Sequence, residues 1–472
     1  MKEGNLNHGK GLMNPLYLEA LADFIVDTKW KSLPAEVIRA VKRVFIDALG
    51  ANMRGSEEPE NARLSDFFMS MSGVTRRSTL LREDFPLADY LTAAFVNGTQ
   101  ACSVELDDGY RHAMAHASAY VMSGVMALSE ELDTSAVEML TAHVIGYEIA
   151  SRGSMAARVP KFVINQHGVM SSIGTAAAAC KLRHYDKATT MEVLRIAASF
   201  AHVTSYAALL QGATVRNLWV GSGNRDGLLA AEFAKMGFLG MPDGIRVTFE
   251  RATAEFDESR LTDDLGVRFC ITENYHKQYA CCGNFDASVE ATLSLVKENA
   301  INPRDIERIL VQIYSPYHTL DEGRPRNALA AKFSLRYCVA AAAVCGTVGH
   351  DVFASSKLAD PSILALVDRT QLREDSQLAA NLPVVRPARV TIRLSNGREF
   401  VRLVEDTRGH YENPFSDGEL EAKFAGLAGR YMTEEGVNAV LRCIKDAERT
   451  SSVRMITGAM RKNARKSSSA NL

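Results

Sequence analysis

Apolar residues recur at three- and four-residue spacing through most of the first 260 positions, as expected of helices that each bury one face. "LYLEALADFIVDTKW" and "EVIRAVKRVFIDALGANMRG" carry this pattern, and the second is expected to end near Gly50. "MSGVMALSEEL", "AVEMLTAHVIGYEIASRGS", "IGTAAAACKL", "TTMEVLRIAASFAHVTSYAALL" and "DGLLAAEFAKMGF" continue it. Their faces are rich in Ala, Gly and Ser, which allows close helix approach in a large bundle. No strands alternate with these helices, so a doubly wound domain is disfavoured.

Near residue 270 the pattern changes. "ERILVQIYS" is rich in β-branched residues and reads as a strand. "ARVTIRLSNGREFVRLVED" is two alternating runs joined through Asn396-Gly397, a hairpin signal. The helix-like "NALAAKFSLRYCVAAAAVCGTV" lies between them. Helices then return in "SDGELEAKFAGLAGRYM", with Ser416 as its expected cap, and in "EEGVNAVLRCIKDAERT". The chain is therefore expected to be mainly α. A discontinuous all-helical domain (12–267 and 406–450) would carry an inserted, smaller α+β domain (268–405), followed by a disordered tail (451–472).

Composition narrows the function classes. A length of 472 residues calls for more than one core, and 47% hydrophobic with 23% charged residues is an ordinary globular balance. A formal net charge of −2 argues against nucleic acid and against a polybasic membrane face. No apolar run has the length of a membrane span, and the polar start "MKEGNLNHGKGLMNP" lacks a signal-peptide core, so a cytoplasmic enzyme is expected. The eight cysteines form no CxxC pair and read as free thiols; the adjacent pair in "YACCGNF" has no zinc spacing. The Gly-rich "VGSGNRDGLLAA" is not GxGxxG and follows no clear strand, so it reads as a close-packed helix start and not a dinucleotide site.

"VELDDGYRHAMAHAS" concentrates three carboxylates and two histidines in residues 104–118. Glu105, Asp107, Asp108, His112 and His116 could hold a metal, form an acid–base apparatus, or make a solvated turn. His112 and His116 would share a helical face, but Gly109 interrupts the run. Asp107 and Asp108 suit capping or shaping the turn. An acid–base role is the better reading, since imidazole titrates near neutrality and a carboxylate can orient it. Metal binding is the minor alternative, and His112 is left unassigned.

Several segments taken in order resemble the MmgE/PrpD family over about residues 15 to 448. "RVFIDALGANMRG" resembles the family's second helix and "AAFVNGTQACSVELDD" its AAFVNG…DxDD segment. "NALAAKFSLRYCVAAA" resembles its EAKFS signature, and "GHYENPFSDGELEAKF" its C-terminal G…NPLS…KF segment. The resemblance implies a helical domain with an α+β lid, a homodimer, and a site between the domains that uses neither cofactor nor metal. Members act on small di- and tricarboxylates by moving a proton next to a carboxylate.

Carried over residue by residue, Glu105 falls on the first acid of DxDD, and His116 on the histidine of HP(S/G), although here the run is His-Ala-Ser. The HxTG histidine aligns with Asn165, with His167 two places on. TKxxH becomes Thr214-Val-Arg216-Asn-Leu-Trp219, Lys277 keeps the lysine before the YPCC-like run, and Asp286 replaces the histidine that follows. Tyr317 or His318 falls near a tyrosine of the substrate pocket. The implied roles are His116 as the main acid–base group and Glu105 as its orienting partner or a second base. Asn165 or His167 would position the reacting centre, with His167 a further catalytic candidate, and Arg216 and Lys277 would clamp substrate carboxylates. Arg216 cannot serve as a base, because its pKa is too high. A lyase, foremost a dehydratase of a di- or tricarboxylate or hydroxy acid, is expected. The alternatives are an epimerase or isomerase and a catalytically silent carboxylate-binding relative.

Overall fold

The helical periodicity becomes a set of long helices in the computed structural model, which describes residues 14–465 apart from 74, 158–162, 203, 254, 320 and 322. The main ones are α1 (Ala35–Gly55), α2 (Tyr90–Ala101), α3 (Ala117–Leu132), α4 (Ala136–Ala156), α5 (Gln166–Leu182) and α6 (Val215–Lys235). Helices α3, α4 and α5 are buried over nearly their whole circumference, which their Ala, Gly and Ser positions permit.

Two expectations shift here. Helix α1 does not stop near Gly50, because that glycine lies mid-helix, where a Cβ would sit 3.2 Å from the Phe424 ring. "VGSGNRDGLLAA" is not a helix start but the middle of α6. Its glycines let α6 close on its neighbours: a Cβ at Gly221 would lie 2.4 Å from the Phe95 carbonyl oxygen, and one at Gly227 would lie 2.5 Å from that of Ser172.

After α7 (Asp286–Glu298), strands β1 (Ile306–Ile313), β2 (Thr370–Glu374), β3 (Ala388–Leu394) and β4 (Glu399–Val404) form one sheet in the order β2-β1-β3-β4. β1 and β2 run parallel, and the other pairs are antiparallel. The expected hairpin joins β3 to β4 with Gly397 at φ +84°, a backbone state open to glycine at no steric cost. Strict alternation of buried positions along β3 turns one face onto α7. The helix expected over 327–348 splits into Ala328–Lys332 and α8 (Leu335–Cys345), because Ser334 caps the second piece by accepting from the Tyr337 N–H.

The chain then returns to the helices. Ser416 and Glu419 form a capping box on α9 (Asp417–Ala428), which packs on α1. One apolar core lies under the helices, and a second gathers chiefly residues 279–404. The expected disordered tail fails for residues 451–465: Arg454–Lys462 is a helix that buries Ile456 and Met460, one turn apart. The last seven residues, 466–472, lie outside the described ones. Among the described residues, no helix is long and apolar enough to cross a membrane.

Candidate active site

Residues 102–108 leave α2 as a loop whose backbone carbonyls have no helix or sheet to satisfy them. Three cations from distant segments do so instead: Arg216 donates to the Cys102 carbonyl (2.8 Å), Lys332 to Ser103 (2.7 Å) and Lys423 to Leu106 (2.9 Å). Within this loop Glu105 has φ +54°, a left-handed conformation uncommon for a side chain with a Cβ. Gly109-Tyr110 then pairs antiparallel with Asn274-Tyr275, and this short ladder sets Lys277 against Glu105. Gly109 is required there, since a Cβ would meet the Tyr275 ring at 2.5 Å.

The Glu105 carboxylate lies between two buried cations. Lys277 Nζ donates to Oε2 at 2.7 Å, and Arg216 Nη2 is 2.5 Å from Oε1, an ion pair without hydrogen-bond alignment. Burial opposes ionisation of Glu105, but Arg216 and Lys277 outweigh it and hold the carboxyl below its ordinary range. In this geometry Glu105 stands as the shared counter-ion of Arg216 and Lys277.

The carboxylate that orients His116 is Asp107 and not Glu105 as expected: Oδ2 lies 2.9 Å from Nδ1. Burial again opposes the charge, while His116 and Lys277 keep Asp107 ionised. An ionised carboxylate only accepts, so Nδ1 carries a proton and Nε2 is the nitrogen left to exchange one with a substrate. The ring bonds through Nδ1, Nε2 has no hydrogen-bond partner among the described residues, and His116 lines a cavity of about 80 Å³. Asp108 does not cap a helix either. It is buried, accepts from the Tyr147 hydroxyl (3.0 Å), and burial together with Asp107 pushes its carboxyl well above the ordinary range.

His167 reaches the cavity from the first turn of α5, whose N-cap is Asn165: the Asn165 Oδ1 accepts from the His167 N–H at 2.9 Å. Arg216 Nη2 approaches His167 Nε2 at 2.6 Å, so that nitrogen accepts, and Nδ1–H donates to the Tyr120 hydroxyl at 2.8 Å. Burial, with the positive charge of Arg216 beside it, pushes its pKa well below the ordinary value. Both nitrogens are engaged and the ring stays neutral, so the structure makes His167 a rigid neighbour of His116, ring centroids 5.0 Å apart, and not a proton carrier.

Arg216 and Lys277 line the cavity, but both are committed to Glu105, so the expected role as open carboxylate clamps needs correcting. The cation left open is Arg386, which sequence reasoning missed. It is 7% exposed and lines the same cavity, and no hydrogen-bond acceptor or carboxylate partners it among the described residues. It stacks 5.6 Å from the Tyr275 ring, against which Arg111 also packs at 5.4 Å. Nothing in "VVRPARV" marks this arginine, because its distance from the motif residues is closed only by the fold.

Tyr317 lines the cavity as expected, but Asp286 and His318 do not. His318 faces Glu374 at 3.7 Å, and His112 pairs with Glu273 at 3.1 Å. Asp286 is buried at the start of α7, with the Cys281 thiol 4.0 Å away. Its burial pushes the carboxyl up to about 7, against the pull of Lys277, Arg111 and Arg386. A carboxyl raised on folding binds its proton more tightly in the folded state, so stability falls as the pH rises from ~4 toward the folded value. Asp286→Asn is therefore expected to resist urea better than the unchanged protein at pH 8, with the advantage gone at pH 4. Equal midpoint differences at the two pH values would refute this.

The residue 105–116 side chains do not converge on one point. Among the described residues, the set with ligand atoms close enough to share an ion is Asp406, His410 and Glu412, and there Arg111 already pairs with Asp406.

Comparison with known proteins places most of the cavity-lining residues within matched family domains, with Tyr275 and Lys277 between the two. Profiles of the MmgE/PrpD N-terminal and C-terminal domains match residues 19–250 and 279–447. Cis-aconitate decarboxylase of Mus musculus is 25% identical over 451 residues, 91% of this chain and 90% of its own. The Homo sapiens enzyme is 25% identical over 452 residues, 91% of each chain. The cis-aconitate decarboxylase-like protein oryM of Aspergillus oryzae is 24% identical over 474 residues, 92% of this chain and 95% of its own.

Proposed function

The chain belongs to the MmgE/PrpD family, and from that premise we propose that it is a lyase that breaks a carbon–carbon or carbon–oxygen bond next to a carboxylate. The observation that carries the reading is one oriented imidazole, His116, with its free Nε2 in a cavity that also holds the unpartnered cation Arg386. A cation buried without a counter-ion is costly to the empty protein and becomes favourable when an anion arrives. Arg386 therefore takes a substrate carboxylate, and Asn165 and Tyr317 line the space in which the reacting carbon lies.

A single open proton carrier suits decarboxylation best. The carbon–carbon bond breaks, carbon dioxide leaves, and its bonding electrons stay on carbon as a carbanion delocalised into an adjoining unsaturated or carboxylate group. Protonated His116 then delivers a proton to that carbanion. The nearby charges of Arg216 and Lys277, already fixed by Glu105, lower the energy of the negative charge that develops. The names of the relatives support this order. Dehydration, placed first from sequence, asks a second group to protonate the leaving hydroxyl, and His167 is not free to do so.

The test is incubation in deuterium oxide with a panel of small di- and tricarboxylates, read by mass. Loss of carbon dioxide with one deuterium gained at carbon is expected. Loss of water would favour the dehydratase, exchange without loss the epimerase, and binding without mass change the silent relative; each overturns decarboxylation. For the turned-over acid, Arg386→Gln is expected to raise KM about thirtyfold or more, with urea stability maintained or raised, because no protein carboxylate loses its partner and an unpaired buried charge is removed. An unchanged KM would remove Arg386 from the site. The α+β unit of residues 268–405 acting as a lid, and the pairing of two chains, belong to the same proposal.

A further inference from the structure

The cavity beside His116 is only the inner of two adjoining spaces. A second chamber of about 680 Å³ shares Met114, Gln166, Asn284, Tyr317 and Arg386 with it, so these residues form a neck between the two. A water needs roughly 10–15 Å³ of such space, so the inner cavity of about 80 Å³ accepts on the order of half a dozen small heavy atoms. That is enough for the reacting carbon with one carboxylate, and too little for a whole tricarboxylate. The rest of the substrate has to pass the neck.

The outer wall shows what kind of group it receives. Its apolar surface comes from Tyr110, Met155, Tyr314, Pro316, Leu382 and Pro383. Among the described residues, the arginines at its edge other than Arg386 are already neutralised: Arg111 by Asp406, Arg268 by Glu273 and Arg260 by Asp257. A chamber built for a second anion, or for a phosphorylated carrier, would leave such cations open, as Arg386 is left open at the neck. At the neck, Met114 holds a left-handed backbone (φ +50°) and is 40% exposed, presenting a flexible apolar side chain between the spaces.

We propose that the substrate is a carboxylic acid bearing an uncharged apolar arm, an alkyl or aryl substituent that lies in the outer chamber while its carboxylate meets Arg386. This rests on the reading of the inner cavity as a carboxylate site. The arm decides which acid is selected, because burial of each methylene adds affinity that a bare di- or tricarboxylate cannot gain.

The experiment is calorimetric titration of the full chain with 2-alkylsuccinates from methyl to octyl, none of which the proposed reaction consumes. Affinity is expected to climb about three- to fourfold per methylene until the chamber is filled. Met155→Trp, which occupies the chamber, and Leu382→Glu, which places a charge in it, are each expected to flatten the climb while leaving methylsuccinate binding unchanged. Two variants guard against one failing to fold, which circular dichroism reads. An affinity that is flat or falls with chain length overturns the apolar arm while the carboxylate site stands. Absence of binding at every length overturns the carboxylate site and the arm together.

Discussion

Replacing His116 by glutamine is expected to lower turnover by about a thousandfold or more and to leave the fold in place. The glutamine amide fits the same space and can donate to Asp107, so the buried carboxylate keeps a partner in addition to Lys277 at 3.8 Å. What it cannot do is carry a proton at the position of Nε2. His167, 5.0 Å away between ring centroids, is unable to take over, because Arg216 and Tyr120 occupy both of its nitrogens. Steady-state rates and circular dichroism melts on the same preparation check both halves. Retention of more than about a tenth of the activity would show that another group moves the proton.

The largest effect on stability is expected from Glu105→Gln. Removing this charge leaves Arg216 and Lys277 buried without their shared counter-ion, a situation that typically costs 3–5 kcal/mol. The size of the defect carries its own pH signature. The carboxyl of Glu105 is held below the ordinary glutamate range, so its stabilising contribution is complete above the unfolded value of ~4 and is lost as the pH falls through the folded one. Urea midpoints of the variant and the unchanged protein are thus expected to differ most near pH 7 and to approach each other in acid. A difference that does not depend on pH would mean that Glu105 acts through packing and not through charge.

The proton carrier was legible in the chain, and its partner was not. His116 stands out by residue type and by its place in "HAMAHAS". The choice between Glu105, Asp107 and Asp108 as its partner depends on which way successive side chains of one loop point. The left-handed turn at Glu105 sends Glu105 to the cations, Asp107 to the imidazole and Asp108 to Tyr147. Likewise Arg216 was readable as a cation of the site but not as one already spent on Glu105, His167 and the Cys102 carbonyl.

Local pattern determined what depends on neighbours along the chain. It includes the helical faces of the first half, the Asn396-Gly397 hairpin, the Ser416 capping box and the place where helix gives way to strand. These follow from periodicities of 3.6 and 2 and from turn chemistry, all set within a few residues. Strand β2 escaped that reading because "TQLRE" buries only its first residue and pairs parallel at a sheet edge, with no alternation to betray it. Tertiary structure alone decided which charges are neutralised and which stand open. Electrostatic pairing acts through space over a few ångströms, and Glu105 meets Lys277 across 172 residues while Arg386 meets no carboxylate among the described residues.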